Sequence, residues 1–410
     1  MIPVYSGGHG GEEVMDPVIV VGGARVFQGD CREVLKRLPD NSVDSVVTDP
    51  PYELGFMGKK WDSTGIAYDA TVWEECLRVL KPGGHILAFG GSRTFHRMAV
   101  AIEDAGFEIR DSIAWISSKT FPKSLNVRKA IDKTGADGSA WEGWGTGLKN
   151  VVEPIVMGRK PLVGTVAANV LEWGVGGLNI DASRVGTELV TINTFDSGAK
   201  PFGGAVGEAY TSRQSGGRWP ANVILDEDSS RRLDEQTGHL HTAGNKLDTG
   251  TGVGKGYDSS SYEISYNGKA SRWFPDSGGA SRFFYCATAS KSDRNEGLDG
   301  LPDNVVGSFA GNVAKVSGNK IGAHPDKPNQ PGKNTHPTVK PTALMRYLIK
   351  LVTPAVGTVL DPFTGSGSTG KAALLDGYDF VGVELTEEYL PIIEGRLRWA
   401  IENIDKGTLF

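Results

Sequence analysis

The sequence predicts an α/β protein built on a doubly wound, largely parallel sheet. Three observations carry this. Short apolar runs alternate with helically spaced stretches from Arg25 to Ser118, the same alternation returns from His336 to Ile404, and Gly- or Pro-rich turns stand where the strands would end. A length of 410 residues allows two or three domains, or one large core carrying an inserted unit. With 39% apolar and 22% charged residues, the chain is far from the compositions that stay disordered.

In the first block, Arg25 to Gln28 reads as a strand that passes through Gly29 and Asp30 into a helix ending near Leu38. Ser42 to Thr48 is an apolar strand, stopped by Pro50-Pro51 because neither proline can donate to a ladder. A helix around Trp73 to Leu80 precedes a turn at Lys81-Pro82-Gly83-Gly84 and a strand from His85 to Phe89. In the second block, Ala343 to Val352 has helical spacing and Thr358 to Leu360 is a short strand. Gly370 to Leu375 opens a helix, Tyr378 to Val383 is a strand, and Glu387 to Ile404 is an amphipathic helix. Between about 135 and 335 the pattern decays into Gly, Ser, Thr and Asn, with a flexible loop predicted over 239–271. No fixed-period repeat is present.

Lys plus Arg number 43 against 49 Asp plus Glu, a net charge of −6, so any nucleic-acid contact must be local. From Ala182 to Lys340 the count is 18 basic against 17 acidic residues, which rules out a basic arm. Arginines do interleave with aromatics at Arg218-Trp219, Arg272-Trp273-Phe274 and Arg282-Phe283-Phe284-Tyr285, side chains suited to phosphates and bases and equally to the core of a small domain. The three cysteines, Cys31, Cys76 and Cys286, are far apart, so neither a disulfide framework nor a metal site is expected. No apolar run reaches the ~18 residues of a membrane span and residues 1–24 do not resemble a leader, so a reducing cytoplasm is expected.

Asp361-Pro362-Phe363-Thr364-Gly365-Ser366-Gly367-Ser368-Thr369-Gly370 lies between a predicted strand and a predicted helix. Glycines there let a ligand approach the backbone, and the helix N-terminus offers free N–H groups. Gly365, Gly367 and Gly370 fit a dinucleotide-binding pattern, with Glu384 placed 19 residues after Gly365 to accept from ribose hydroxyls. A nicotinamide-dependent oxidoreductase therefore stays open. Gly365, Gly370 and Lys371 also fit a phosphate loop, but Ala372 stands where magnesium needs Ser or Thr.

The second motif is Thr48-Asp49-Pro50-Pro51-Tyr52, at the carboxyl edge of a predicted strand, where open α/β sheets bind ligands. Asp49 to Tyr52 resembles the catalytic motif of DNA methyltransferases that modify exocyclic amino groups. Asp361 to Ser368 resembles their S-adenosylmethionine loop, and His336-Pro337-Thr338-Val339-Lys340-Pro341 resembles the segment preceding it. The motif order is that of the circularly permuted β group. The resemblance covers residues 25–118 and 336–404 well and the middle only loosely. It implies a Rossmann-like doubly wound mixed sheet with an N-terminal extension (1–24), a catalytic half (25–181), an inserted target-recognition region (182–335) and a cofactor-binding half (336–410).

The resemblance also implies the chemistry. If Asp49 and the Pro50 carbonyl each accept one amino hydrogen, the base nitrogen pyramidalises and its lone pair can meet the methyl sulfonium of S-adenosylmethionine. Pro51 stiffens the loop and Tyr52 would stack on the base, which must be flipped out of double-stranded DNA. No metal is required. For the cofactor, Asp30 and the adjoining Cys31 would face its adenine, with a helix N-cap as the plain alternative for Asp30. Glu384 would hold the ribose, Thr338 and Lys340 the carboxylate end, and Asp361, Phe363, Thr364, Gly365, Ser366 and Gly367 would line the loop. Phe56, Lys59, Lys60 and Trp61, with Arg218, Arg272 and Arg282, are candidate DNA contacts. His336 is read as a structural or loop contact. Asp at the head of the motif favours adenine N6, because the family's cytosine-N4 enzymes more often carry Ser there. A homodimer and a restriction endonuclease partner are further expectations of the resemblance.

Overall fold

The computed structural model describes residues 15–55, 60–118, 122, 124–194, 211–242, 276–287, 293–302, 304–305 and 331–404. Its main sheet has ten strands. In chain order they are β1 (Ile19–Val21), β2 (Ala24–Gln28), β3 (Val43–Thr48), β4 (Leu80–Phe89) and β5 (Glu108–Ile116), followed by β6 (Val152–Arg159), β7 (Val223–Asp226), β8 (Tyr285–Ala287), β9 (Thr358–Asp361) and β10 (Asp379–Glu384). In space the order is β1-β2-β10-β9-β3-β4-β6-β5-β7-β8. From β2 to β4 all neighbours are parallel, while β1 and β6 run antiparallel to theirs, so the sheet is mixed.

The centre of the sheet is buried on both faces, as parallel strands covered by helices must be. Every residue of β3 and β9 is buried. Their side chains divide with the two-residue period of a strand. Val47, Leu87 and Val359 enter one apolar cluster, which holds the helices Thr342–Val352, Ser368–Leu375 and Leu390–Glu402. Val46, Ile86 and Leu360 enter the other, with the helices Ala70–Val79 and Phe95–Asp104.

Most elements of the two blocks fall within a few residues of their predicted ranges. At Lys81 to Gly84 the predicted turn is instead a bulge inside β4, because Val43 pairs with Leu80 and Ser45 with His85. Gly83 takes φ +80° there, and a Cβ on it would meet Asn169 at 2.4 Å. The decayed stretch contains regular elements: β6 inside the sheet, the helices Val166–Trp173 and Glu227–Thr237, and the strands β7 and β8, of which β8 forms the edge. Tyr285 on β8 stacks on Tyr347 of the Thr342–Val352 helix at 3.9 Å. The opposite edge strand, β1, lies within residues 1–24. Of the loop predicted over 239–271, only residues 239–242 are described.

Four adjacent strands each lead at the carboxyl edge to an acid. Across the sheet these are Asp30 after β2, Glu384 at the end of β10, Asp361 at the end of β9 and Asp49 after β3.

Candidate active site

The acids face a single cavity of about 1270 Å³, lined from Asp30 and Glu384 on one side to Asp49, Tyr52 and Lys149 on the other. Pockets for one small ligand run to roughly 300–1,000 Å³, so this one has room for two.

At one end, Asp49 follows β3. Its Oδ2 accepts from Lys340 Nζ at 2.6 Å, while its Oδ1 is buried and accepts from no described group. Lys340 also donates to the Tyr52 hydroxyl at 3.2 Å and lies 3.4 Å from Glu153 Oε2, which accepts from the same hydroxyl at 2.8 Å. The ammonium sits over the rings of Tyr52 and Phe89, 5.3 and 4.9 Å from their centroids. Burial works against the Lys340 charge, but the Asp49 and Glu153 carboxylates outweigh it and its pKa ends above the ordinary lysine value. Burial, reinforced by the same two carboxylates, pushes the Tyr52 phenol well up. The loop is anchored from behind. Thr94 donates to the Tyr52 carbonyl at 2.8 Å, and Asp62 accepts from the N–H groups of Glu53 and Leu54.

At the other end, Gly365 has φ +55°, and a Cβ there would sit 3.0 Å from His336 Nε2. Its N–H donates to Glu384 Oε2 at 2.7 Å, and the Thr386 N–H to Oε1 at 2.8 Å. Each oxygen thus keeps a lone pair for a ligand hydroxyl. Burial raises the Glu384 pKa against the pull of these two N–H groups. Asp361 is held by the Thr48 hydroxyl at 2.7 Å, the Thr369 hydroxyl at 2.6 Å and the Phe363 N–H at 3.1 Å. It fastens the Gly-rich loop to β3, and burial pushes its pKa up to about 6. Asp30 caps the helix Cys31–Val34 and pairs with Arg32 at 2.6 Å, whose hydrogen bonds hold its carboxyl below the usual range. Cys31 is buried, its thiol pushed up to about 12 by desolvation.

Asp30, Cys31, Asp49, Pro50, Pro51, Tyr52, Trp61, Thr338, Lys340, Asp361, Phe363, Thr364, Gly365, Ser366 and Glu384 all line the cavity. Gly367 does not: it caps the Ser368–Leu375 helix at φ +73°, against Ile393. Lys340 is found on the motif aspartate, where the sequence reading sets it beside a cofactor carboxylate. His336 is buried, stacked with Trp61 at 6.4 Å and edge-on to Tyr389 at 4.6 Å. Its Nδ1 bonds the Thr338 carbonyl and burial lowers its pKa to about 4, so the ring is neutral at pH 7. Lys371, the lysine of the phosphate-loop pattern, is fully buried against Asp293 and Glu296 at 2.8 and 2.6 Å, away from the cavity.

Arg218 and Arg282 also lie outside the cavity lining; both flank Phe283, at 5.5 and 4.2 Å. Phe56, Lys59 and Arg272, and the side chain of Lys60, fall outside the described residues. Among the described residues no group of His, Cys, Asp or Glu could hold a metal ion, and no helix is long and apolar enough to cross a membrane. The residue that the sequence reading missed is Glu153, whose strand was not recognised.

A sheet with this strand order, a Gly-rich loop after one central strand and an aspartate motif after its neighbour defines a Rossmann-like α/β class. The chain matches the model of the DNA methylase family, N6 and N4 methyltransferases, over residues 43–181 and 257–395, and it belongs to that family. It is 24% identical over 200 residues to the type II methyltransferase M.HindIII of Haemophilus influenzae, covering 38% of this chain and 64% of that one. With M.ScaI of Streptomyces caespitosus it shares 43% identity over 72 residues, 18% of this chain and 24% of that one. The chain thus spans less than two thirds of either relative. Among solved structures, M1.HpyAVI aligns at 14% identity over 91% of this chain and 98% of that one, with a TM-score of 0.40. The cytosine-N4-specific PvuII DNA methyltransferase aligns at 14% identity over 93% and 88%, with a TM-score of 0.44.

Proposed function

We propose that this chain is a DNA methyltransferase that moves a methyl group from S-adenosylmethionine to the N6 amino group of an adenine flipped out of double-stranded DNA. The observation that carries the reading is Asp49 Oδ1, a buried acceptor without a partner among the described residues, in one cavity with a wall suited to an adenosine-type ligand. Oδ2 is committed to Lys340, so Oδ1 is the oxygen left to accept an amino hydrogen. The Pro50 carbonyl is the second acceptor, and the two consecutive prolines limit how far it can turn. Withdrawing both hydrogens toward acceptors frees the nitrogen lone pair, which is otherwise delocalised into the base.

The opposite wall fits the cofactor. Glu384 keeps acceptor capacity for a ribose diol, Gly365 presents bare backbone to the cavity at φ +55°, and Asp30 stands at the adjacent strand end. S-adenosylmethionine, when bound, supplies the electrophilic methyl. Family membership supports amino-group methylation, and the aspartate in Asp49-Pro50-Pro51-Tyr52 supports adenine over cytosine N4. A nicotinamide-dependent oxidoreductase would leave the Asp49, Lys340, Tyr52 and Glu153 cluster without a task.

The test is to incubate the protein with tritium-labelled S-adenosylmethionine and duplex DNA, digest to nucleosides and separate them. Label on N6-methyladenine is expected. Label on N4-methylcytosine alone would correct the base, and no label on any DNA would overturn the reading.

A further inference from the structure

Glu153 is not part of either sequence motif, yet its carboxylate closes the cluster around Asp49. It is the second residue of β6, the antiparallel strand, so it enters at the same sheet edge as the carboxyl ends of β3 and β9. We propose that Glu153 is a positioning residue for methyl transfer: it holds the Tyr52 hydroxyl and the Lys340 ammonium so that Asp49 turns Oδ1, and Tyr52 its ring, toward the target base. The inference rests on the methyltransferase reading above and deepens it.

The geometry runs through two contacts. Glu153 Oε2 accepts from the Tyr52 hydroxyl at 2.8 Å, which pins the tip of the ring meant to stack on the base. The same oxygen lies 3.4 Å from Lys340 Nζ, opposite the 2.6 Å bond from Lys340 to Asp49 Oδ2. One ammonium is therefore shared by two carboxylates from different strands. Lys340 leaves Asp49 only one oxygen for substrate, and Glu153 keeps Lys340 from following Asp49 when the aspartate engages an amino group. Glu153 stays 26% exposed on its side chain and need touch neither cofactor nor base.

Glu153→Gln keeps the shape and can still accept from Tyr52, but it removes the charge that balances Lys340. Misplacing a reacting group by a fraction of an ångström costs on the order of 10- to 100-fold in turnover. The expected result is a kcat for DNA methylation lower by roughly 30-fold, with the cofactor KM and Kd within about threefold of wild type. Glu153→Ala combined with Tyr52→Phe should be less damaging than the product of the two single losses, because each removes the Tyr52–Glu153 hydrogen bond. Thermal melting and cofactor titration check that each variant is folded. Wild-type turnover with Glu153→Gln at parity would overturn the inference and leave the methyltransferase reading intact. Losses shared equally between kcat and cofactor binding, or strictly multiplicative in the double variant, would also overturn it. No methylation by the wild type would overturn the reading and the inference with it.

Discussion

Replacing Asp361 by Asn should remove a pH dependence from folding stability that can be sized from the structure. Asp361 is fully buried between β3 and the Gly-rich loop, with hydrogen bonds from Thr48, Thr369 and the Phe363 N–H. These favour the charged form, but burial outweighs them and raises the pKa from 3.8 to about 6. The folded protein therefore binds this proton more tightly than the unfolded chain. The group's contribution is most favourable below the unfolded pKa and is lost as pH rises through the folded one. A shift of about two units is worth roughly 3 kcal/mol in full, of which about 2 kcal/mol is present at pH 4.5 and almost none at pH 7.5. Asn fills the same space, can still accept from Thr48 and Phe363, and does not titrate. Urea denaturation of both proteins at the two pH values should show wild-type stability rising by about 2 kcal/mol relative to Asp361→Asn as pH falls. Carboxyls remote from Asp361 cancel in the difference, whereas Glu384, whose pKa the Asp361 charge helps to raise, cancels only in part. A wild-type-minus-variant difference constant to within roughly 0.5 kcal/mol, or one growing toward high pH, would refute the argument.

Asp49→Ala should lower methylation by at least about 10³-fold while isothermal titration finds the cofactor Kd within about threefold, since Asp49 lies at the other end of the cavity from Glu384. Gly365→Ala places a methyl 3.0 Å from His336 Nε2 at φ +55°, and His336 is wedged between Trp61 and Tyr389. Its cofactor Kd should rise about tenfold or more and its stability fall by about 1–2 kcal/mol; wild-type affinity would mean that no ligand approaches this glycine. Arg396 is fully buried and donates to the Ser366 carbonyl and hydroxyl. Arg396→Met, which removes a buried guanidinium 3.7 Å from the Asp293 carboxylate, should cost about 3–5 kcal/mol in chemical denaturation.

The central strands were legible because each carries a short cluster of Val, Leu, Ile or Phe buried on both faces, and the loops after them carry residue types that few other contexts demand. Strand β6 was not legible. Pro154 and Gly158 interrupt it, and both ordinarily argue against an interior strand. Gly158 is explained by packing: a Cβ there would lie 2.8 Å from Ile86 of β4 and 3.4 Å from Ile102 of the Phe95–Asp104 helix, so the neighbouring strand, with that helix above it, leaves room for no side chain. Missing β6 meant missing Glu153. The partner of Lys340 was hidden for a different reason, since the contact to Asp49 joins residues 291 positions apart and no local pattern records it.

The order of the acids along the sheet edge, 30, 384, 361, 49, is not their order in the chain. What builds the site is strand adjacency, and the adjacency of β3 and β9 depends on bonds that cross between the two blocks. Thr48 to Asp361 spans 313 positions and Lys340 to Asp49 spans 291. Each tie holds an acid of the cavity lining and also helps dock one block against the other. Asp49 Oδ1 is different, because it makes no bond within the described protein. Changes at Asp361 should therefore move stability and turnover together. Loss of the Asp49 carboxylate should spare cofactor affinity, with any folding penalty confined to the charge it leaves on Lys340, which Glu153 still partly balances.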